Sequence, residues 1–587
     1  MKVASSPANA VTSTTQSHLF TLGLSNLRLF CWLVVSVTGL LEAWGHRFQV
    51  EFDGVSYLDV AENYLRGDWH EAVNAYWSPL YSWLLAVPLS FLHSSLYWES
   101  TLLHLVNFTV LLASYAAFEF FLGELVRCPI VLSAKGETTV SLPEGAWRIL
   151  GLAMFLFSSL SLANYNGATP DLCVTVAVYA AAGLLLRIQS ARAGWGTYAC
   201  LGVTLGIGYL AKAAMFPLAL IFLSVALFAT PAPAKARLKL VAAVFAFALI
   251  AGPWVAVLSR SKSRLTFGDS GKLAYIAAMG SAWTSGFKGV SPALGSHVLH
   301  PLTRLAAHPE TLGFAGPVSG TFPPWYDGSY WSEGAEAHFR WSTQLAILHG
   351  SYDSYLDILV SEEGLLTGLL ALLFVQGTFR LYISSLAPFW TLWLPSLAAI
   401  GMYSLVLVQT RYVAAFLILI WVSLFAALRL PSVGEMPRLV LAVPVAILLV
   451  VALPIARSMV SDVYRSFRPE PYEAWELAEE LHRMGVQSNH SVAIIGLPAD
   501  TFDWARLAGV RIVAAIPPGA VDEYWSAPSD VQAKVDSLFH QTGAIAAISC
   551  APPPKRNLAG WTELGSSPYY VRLLLDALQN SSSDSSE

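Results

Sequence analysis

Charge is what this chain has least of. Asp, Glu, Lys and Arg make up 12 % of its 587 residues, where a soluble domain carries roughly a quarter. That scarcity excludes an ordinary soluble globular protein. There is no basic tract, and the net charge of −5 gives nucleic acid nothing to bind. Cysteine is scarce as well, with five in all. Cys31, Cys173 and Cys200 lie in or beside apolar runs, Cys128 in a loop and Cys550 in a late apolar strand. None is spaced as a metal-ligand pair or a disulfide framework, so redox chemistry has no support. A glycine-rich phosphate loop is missing too: GLPAD, after the strand-like run SVAIIGL, does not have that form, and no nucleotide site is assigned.

Apolar residues, at 55 %, are abundant instead. Runs long enough to cross a bilayer recur. Hydropathy places spans near 27–46, 97–124, 147–163, 168–187, 195–210, 212–230, 237–258, 362–384, 387–408, 411–429 and 437–457, about 11–13 once short runs are allowed for. The Pro-bounded run 79–93 reads as a re-entrant or interfacial helix or a short span. The Ser/Thr-rich residues 1–26 are expected to be disordered. The first apolar run, FCWLVVSVTGLLEAW, lacks a small-residue cleavage site and reads as a retained signal anchor.

Lys and Arg orient the spans. With a cytoplasmic N-terminus, the cytoplasmic loops contain Arg127, Lys135 and Arg148, then Arg187 and Arg192, Lys235, Arg237 and Lys239, Arg380, Arg429 and Arg438. The opposite short loops carry almost none apart from Lys212 and Arg411, a positive-inside pattern. It puts loops 47–96 and 259–361, and everything after 457, on the outer side. Residues 470–575 alternate helical periodicity (EAWELAEELHRMG) with β-rich runs (SVAIIGL, RIVAAIP, AIAAISC), predicting a small soluble α/β domain. The tail 576–587 is expected to be disordered. The fold expected is therefore mainly α and polytopic over 27–460, with a periplasmic α/β domain behind it.

Several residues could carry chemistry. Asp53 follows the first span, at the outer boundary, among Phe52, Tyr57, Trp69 and Trp77. Desolvation there would raise its pKa, as suits a general base; the alternative is a solvated loop acid. Lys212 interrupts GIGYLAKAAMFPLAL and Arg411 interrupts SLVLVQTRYVAAFLILIW. Ionisable residues between apolar spans are costly and point to function; together they could hold an anionic head group such as a lipid-linked phosphate, or simply snorkel. In NYNGATPD, Asp171 opens a helix, where N-capping is the simpler role. SRSKSRLTFGD brings Arg260, Lys262 and Arg264, for phosphate or the interface. SHVLHP and HPE supply His297, His300, His308 and Glu310, from which a divalent-metal site could be built. TFPPWYDGSYWSEG packs Trp325, Tyr326, Asp327, Tyr330, Trp331 and Glu333 into one loop. Ring faces beside carboxylates suit a carbohydrate; an interfacial aromatic belt uses the same residues.

The first outer loop, with Asp53, then Gly67-Asp68-Trp69, then Pro79-Leu80-Tyr81 leading into a Trp-rich run, resembles the GT-C superfamily of polytopic glycosyltransferases. More closely it is similar to bacterial relatives of the protein O-mannosyltransferases and of the lipid A aminoarabinose transferase. YWSPLYSWLL, TFPPWYDGSYWSEG and QTRYVAAFLILIW add to the resemblance, which is clearest over 47–90 and continues as architecture to about residue 460. It implies a sugar donor linked to polyprenyl phosphate, used on the outer face of a bacterial cytoplasmic membrane. It implies the first-loop acid, here Asp53, as catalytic, and phosphate-binding cations at Lys212, Arg264 and Arg411. Tyr57, Trp77, Asp171 and the Trp325–Trp331 aromatics become candidates for holding sugar or acceptor. The sequence departs from the aminoarabinose transferases at Trp77-Ser78, where those enzymes carry a Glu-Lys pair.

The reading that follows is a membrane glycosyltransferase acting on a lipid, polysaccharide or protein acceptor, with an amphipathic stretch, 55–72, lying along the interface. The competing class is a transporter or flippase for a lipid-linked or anionic substrate. No inverted repeat or pair of Gly/Pro-broken spans supports it.

Overall fold

The acidic stretch after the first apolar run folds as a helix, Phe52–Arg66, not as an open loop. Glu51 precedes it in extended conformation, and Gly67, at φ 77°, closes it in the left-handed region that favours glycine. A second short helix, Trp69–Ala72, starts on Asp68, whose side chain accepts the Glu71 N–H. Most of Phe52–Ala61 is buried within the protein. This corrects the expectation of an amphipathic segment lying along the interface: the helix is a strut between two parts of the molecule.

The computed structural model describes residues 8–92, 95–132, 139–163, 165–230, 233–280, 298–431, 436–467, 472–496, 502–550, 552–554, 560–565 and 567–574. His297, most of GLPAD and the tail 576–587 lie outside them. The first helix begins at Ala8 and runs to Gly45. It starts inside the stretch expected to be unstructured: after Pro7 no proline or glycine breaks the chain until Gly23.

Among the described residues, seven helices are long and apolar enough to cross a membrane. The pair Trp341–Ser361 and Glu363–Gln376, bent by 70°, would make an eighth. The count is lower than the runs suggested because charge and glycine divide them. The runs around Lys212 and Arg411 give the shorter helices Trp195–Ala211, Met215–Ala229 and Thr410–Ala426. The run expected at 362–384 ends at Gly377, φ 72°, and Phe379 opens the span that continues to Ser404. The outer loop expected over 259–361 gives its last part to helix Trp341–Ser361. The run 79–93 is a 14-residue helix, Pro79–Leu92.

Small residues set the helix spacing. Gly202 and Gly206 bring Trp195–Ala211 against helix Pro233–Ser261, where an added methyl would collide with Ala243 and Ile250. At Gly54 a methyl would strike the side chains of Ala168 and Val50. The acidic helix therefore lies directly on the turn that precedes Asp171.

The tail forms an α/β layer, but its sheet is not built from the tail alone. In order, the strands are Thr303–Ala307, Glu310–Gly313, Arg511–Ile516, Ser491–Ile495, Ala544–Ser549, Tyr570–Leu573 and Thr562–Glu563. The three central strands are parallel and their neighbours antiparallel. The parallel strands are buried apolar runs, as both-sided burial requires. The first two strands come from the outer loop: Leu312 and Gly313 pair with Ala515 and Ala514. The loop and the tail thus share one sheet.

Candidate active site

Three helices start, and one ends, at the same place. Asp53 is in the first turn of Phe52–Arg66. Asp171 opens Asp171–Gln189 behind Pro170. Arg411 is in the first turn of Thr410–Ala426. Lys212 follows the last residue of Trp195–Ala211, in extended conformation, its N–H still on Gly208 O. The two acids sit where the helix dipole favours negative charge, and Lys212 where it favours positive. Arg411 sits at the unfavourable end of its helix and is held there by carboxylates.

The four side chains form a row of alternating charge. Arg411 Nη2 donates to Asp53 Oδ2 at 3.3 Å, and its Nε stands 3.6 Å from Asp171 Oδ2. Lys212 Nζ donates to Asp171 Oδ1 at 2.5 Å. Its ammonium also lies 3.5 Å from the centre of the Tyr412 ring, a cation–π contact. Gln409 Oε1 accepts from Arg411 Nε at 2.9 Å. Asp171 is 3 % exposed, Arg411 17 %, and Asp53 and Lys212 both 21 %, so the row is shielded yet reachable at both ends. Burial raises the Asp53 carboxyl pKa above its ordinary value, and the Arg411 guanidinium pulls in the opposite direction. Among the described residues Asp171 Oδ2 accepts no hydrogen bond and Oδ1 accepts from Lys212; the carboxylate joins the two cations rather than capping the helix.

Aromatic rings wall this row. Tyr57 is buried, edge-on to Trp77 at 5.0 Å and to Tyr81 at 5.1 Å. Burial first, and then the charges of Asp53 and Asp171, push its hydroxyl pKa well up. Tyr76, the first residue of YWSPLYSWLL though not itself one of the candidates, packs edge-on to Trp77 and to Trp325. The Trp325 ring lies 6.4 Å from Phe52 and 6.1 Å from Trp77, and its Nε1 is buried without a hydrogen-bond partner among the described residues.

The remaining aromatics of the late outer loop do not form an open sugar platform, and that expectation is corrected. Tyr326 is 1 % exposed and Trp331 4 %. The Tyr326 hydroxyl donates to Glu71 O and accepts from Asn63 Nδ2, and its carbonyl accepts from Asn74 and Trp77. Trp331 Nε1 donates to Pro323 O. Asp327 accepts from Ser329 N and Tyr330 N and faces Lys262 Nζ at 3.8 Å. Its burial raises its pKa, opposed mainly by Lys262. These residues lock the late loop to the early one. Tyr330, half-exposed, stacks on His300 at 4.1 Å.

Arg264 is not part of the row. It pairs with Asp269 at 2.5 Å in a turn whose Asp269 N–H donates to Ala75 O. Among the described residues the histidines do not assemble a metal site either: His300 pairs with Glu333, His308 with Glu523, and Glu310 with Arg304.

Sequence reasoning missed a second charge cluster. Arg506, from the tail, is 7 % exposed and forks onto Glu99 through Nε and Nη2 at 3.0 and 2.9 Å. Its Nη1 reaches Asp59 at 2.8 Å and Glu62 at 2.6 Å. Asp59 also accepts from Thr321 N and Oγ1. The helix that presents Asp53 to Arg411 thus presents Asp59 to Arg506.

No protein-family model matches this chain, and no curated protein does. Solved structures do. The apo structure of ArnT from Cupriavidus metallidurans superposes with a TM-score of 0.51 at 12 % identity, over 93 % of this chain and 98 % of that one. The same protein bound to undecaprenyl phosphate gives 0.36 at 14 % identity, over 92 % and 97 %. The Archaeoglobus fulgidus oligosaccharyltransferase, in complex with zinc and sulfate, gives 0.44 at 14 % identity, over 88 % and 67 %. With its apolar helices, its α/β layer and the near end-to-end likeness to apo ArnT, the chain is a polytopic membrane protein with the fold of that structure, the GT-C fold expected from the sequence.

Proposed function

We propose that the chain transfers a sugar from a polyprenyl-phosphate donor to an acceptor hydroxyl at the outer face of a bacterial cytoplasmic membrane, with its N-terminus in the cytoplasm and its tail layer outside. The observation that carries this reading is the row Asp53–Arg411–Asp171–Lys212. It puts a partly desolvated carboxylate beside two cations at the end of membrane helices. That arrangement suits a substrate whose reacting carbon lies between a hydroxyl to be deprotonated and a phosphate to be released.

The reading assigns each residue a step. Arg411 covers Asp53 at rest. A donor phosphate would compete for the guanidinium, bridging Arg411 and Lys212 and uncovering the Asp53 carboxylate. Asp53 then takes the acceptor's hydroxyl proton as the acceptor oxygen forms its bond to the anomeric carbon. The bond from that carbon to the phosphate oxygen breaks, and the electron pair leaves on the phosphate. The growing charge there is met by Arg411 and Lys212, and the sugar passes through an oxocarbenium-like state. Trp325, with its open N–H, and Tyr76 supply the ring faces nearest the reacting sugar. In ArnT the ligand bound is undecaprenyl phosphate, a lipid phosphate of the class this row would hold.

The test is turnover. Purified protein in detergent is given a panel of polyprenyl-phosphate sugars, and release of polyprenyl phosphate with glycosylation of an acceptor lipid, polysaccharide or peptide is followed. Sugar transfer by the wild type and its loss in Asp53→Asn are expected. Movement of a lipid-linked substrate across vesicles without chemical change would overturn the reading in favour of a transporter.

A further inference from the structure

A third group of titratable residues lies apart from both charge clusters. Glu42 is in the last turn of the first helix and His46 just beyond it; Asp462 is in the long final membrane helix, Met436–Ser466. The two acids are 7 % and 5 % exposed and His46 16 %. His46 Nδ1 is 3.5 Å from Glu42 and Nε2 is 3.9 Å from Asp462, and one ligand atom from each of the three lies within 4.8 Å of the others. Asn166, in the turn below, places its amide nitrogen 3.0 Å from Glu42 Oε2 and 3.4 Å from His46 Nε2.

Two features distinguish this group from a chance acidic cluster. His46 Nδ1 lies 3.0 Å from the Glu42 carbonyl oxygen. A proton on Nδ1 donated there leaves Nε2 as a lone pair facing the Asp462 carboxylate, the arrangement in which a backbone carbonyl orients a metal-binding imidazole. Second, Asn166 Oδ1 is buried without a hydrogen-bond partner among the described residues. An amide turned by 180° would exchange its bond to Glu42 for an oxygen pointing into the group as a further ligand. Ser458 Oγ also donates to Asp462 Oδ2, at 3.2 Å. Two buried carboxylates and an imidazole nitrogen at this mutual spacing are a mixed oxygen–nitrogen donor set of the kind a divalent ion takes.

We propose that Glu42, His46 and Asp462, with Asn166 Oδ1 as a further donor, hold a divalent ion of the Zn2+ or Mn2+ kind. An imidazole among oxygen ligands selects such ions over Mg2+ and Ca2+. The ion would join the outer ends of the first and last membrane helices to the turn 165–168. That turn touches Gly54 through Ala168 and leads into Asp171, so the ion would set the position of the row without taking part in its chemistry. The site does not depend on what the row transfers.

The experiment uses the full-length protein in detergent, stripped with chelator and then titrated with Zn2+ or Mn2+ alone. Binding of about one ion per chain, with a rise in melting temperature and no competition from Ca2+, is expected for a closed site of this composition. His46→Ala is expected to weaken binding by more than the ~10–100-fold that loss of an outer-shell partner costs. X-ray absorption on the wild-type protein with Zn2+ bound needs no variant to fold; it should show one imidazole in an otherwise oxygen shell. The proposal is overturned by absence of stoichiometric binding, by a shell without imidazole, or by a His46→Ala variant that binds as well as wild type.

Discussion

Arg411 donates to Asp53 across 358 residues of chain, Nη2 to Oδ2, at 3.3 Å. At that length the contact is a loose hydrogen bond, and it holds a cation at the start of a helix, where the dipole opposes it. If Arg411 moves from Asp53 to a donor phosphate, substitutions at the two positions should differ in kind. Asp53→Asn removes the proton acceptor, and kcat is expected to fall by ~10²–10⁴-fold with donor binding little changed. Arg411→Gln removes a contact made to both ground state and transition state. There KM should rise and kcat should fall by ~10²–10³-fold. Steady-state kinetics with a soluble short-chain donor separates the two patterns, and equal profiles would sink the division of roles.

The same contact predicts a pH shift. The base must be ionised, so activity is lost as pH falls through the Asp53 pKa. Burial raises that pKa above the ordinary carboxylate value, and the Arg411 guanidinium does most to lower it. The acidic limb of kcat/KM should therefore lie above the usual carboxylate range in the wild type. It should move to still higher pH in Arg411→Gln, where burial acts with less opposition. An unmoved limb in that variant would assign the limb to another group.

The contrast between Trp325 and Tyr326 gives a third prediction. They are neighbours in the chain, but Tyr326 has its hydroxyl and carbonyl bound within the protein, whereas Trp325 Nε1 has no partner among the described residues. Tyr326→Phe should lower melting temperature, losing buried hydrogen bonds of about 1 kcal/mol each. A phenylalanine at 325 keeps a ring and loses only the N–H. It should leave stability almost unchanged and raise KM for the sugar donor about fivefold, the equivalent of one hydrogen bond. A melting temperature that falls as far in the Trp325 variant as in the Tyr326 variant would place Trp325 in the frame as well.

That contrast also marks how far the sequence could be read. Lys212 and Arg411 are legible because an ionisable residue between apolar runs has few other reasons to be there, and Asp53 by its place just after the first span among aromatic residues and by the family resemblance. Asp171 was half-legible: its place behind Pro170 suggested a cap, and only the fold shows two cations on its carboxylate. The loop 322–333 was read for composition, and composition does not say which ring turns inward. Arg506 gave no local signal, because its partners Asp59, Glu62 and Glu99 come from distant segments. The strands at 303–313 were missed for a similar reason: a short edge hairpin gains its partner only when the tail strand at 511–516 arrives.

Arg506 makes the fourth prediction. It is the buried cation for three carboxylates, two of them under 10 % exposed. Removing one partner of a buried ion cluster leaves uncompensated charge and costs ~3–5 kcal/mol. Arg506→Met should release the tail layer from the acidic helix, seen as new proteolytic cleavage between the membrane helices and the tail. Arg506→Lys should rescue little, since a single ammonium cannot fork onto Glu99 while reaching Asp59. Adding Asp59→Asn to Arg506→Met should recover part of the loss, because one of the stranded charges is then gone. A double variant no more stable than the single would show that the loss is one of packing, not of charge.

The fifth prediction ties helix packing to the row. The acidic helix rests on the turn 165–168 because residue 54 has no side chain; a methyl there would meet the Ala168 methyl. The row needs that closeness, since Asp53 rides on the helix while Asp171 follows the turn. Gly54→Ala should push the two apart and lower kcat while the protein still folds, because overpacking of this size costs ~1–3 kcal/mol. Ala168→Gly removes the methyl that the new one strikes. If displacement is the cause, the pair Gly54→Ala with Ala168→Gly should regain part of the lost kcat, the contact with Val50 remaining. The two effects would then be strongly non-additive, as expected for residues in contact. Additive losses would mean that Gly54 matters to the row through something other than its distance from the turn.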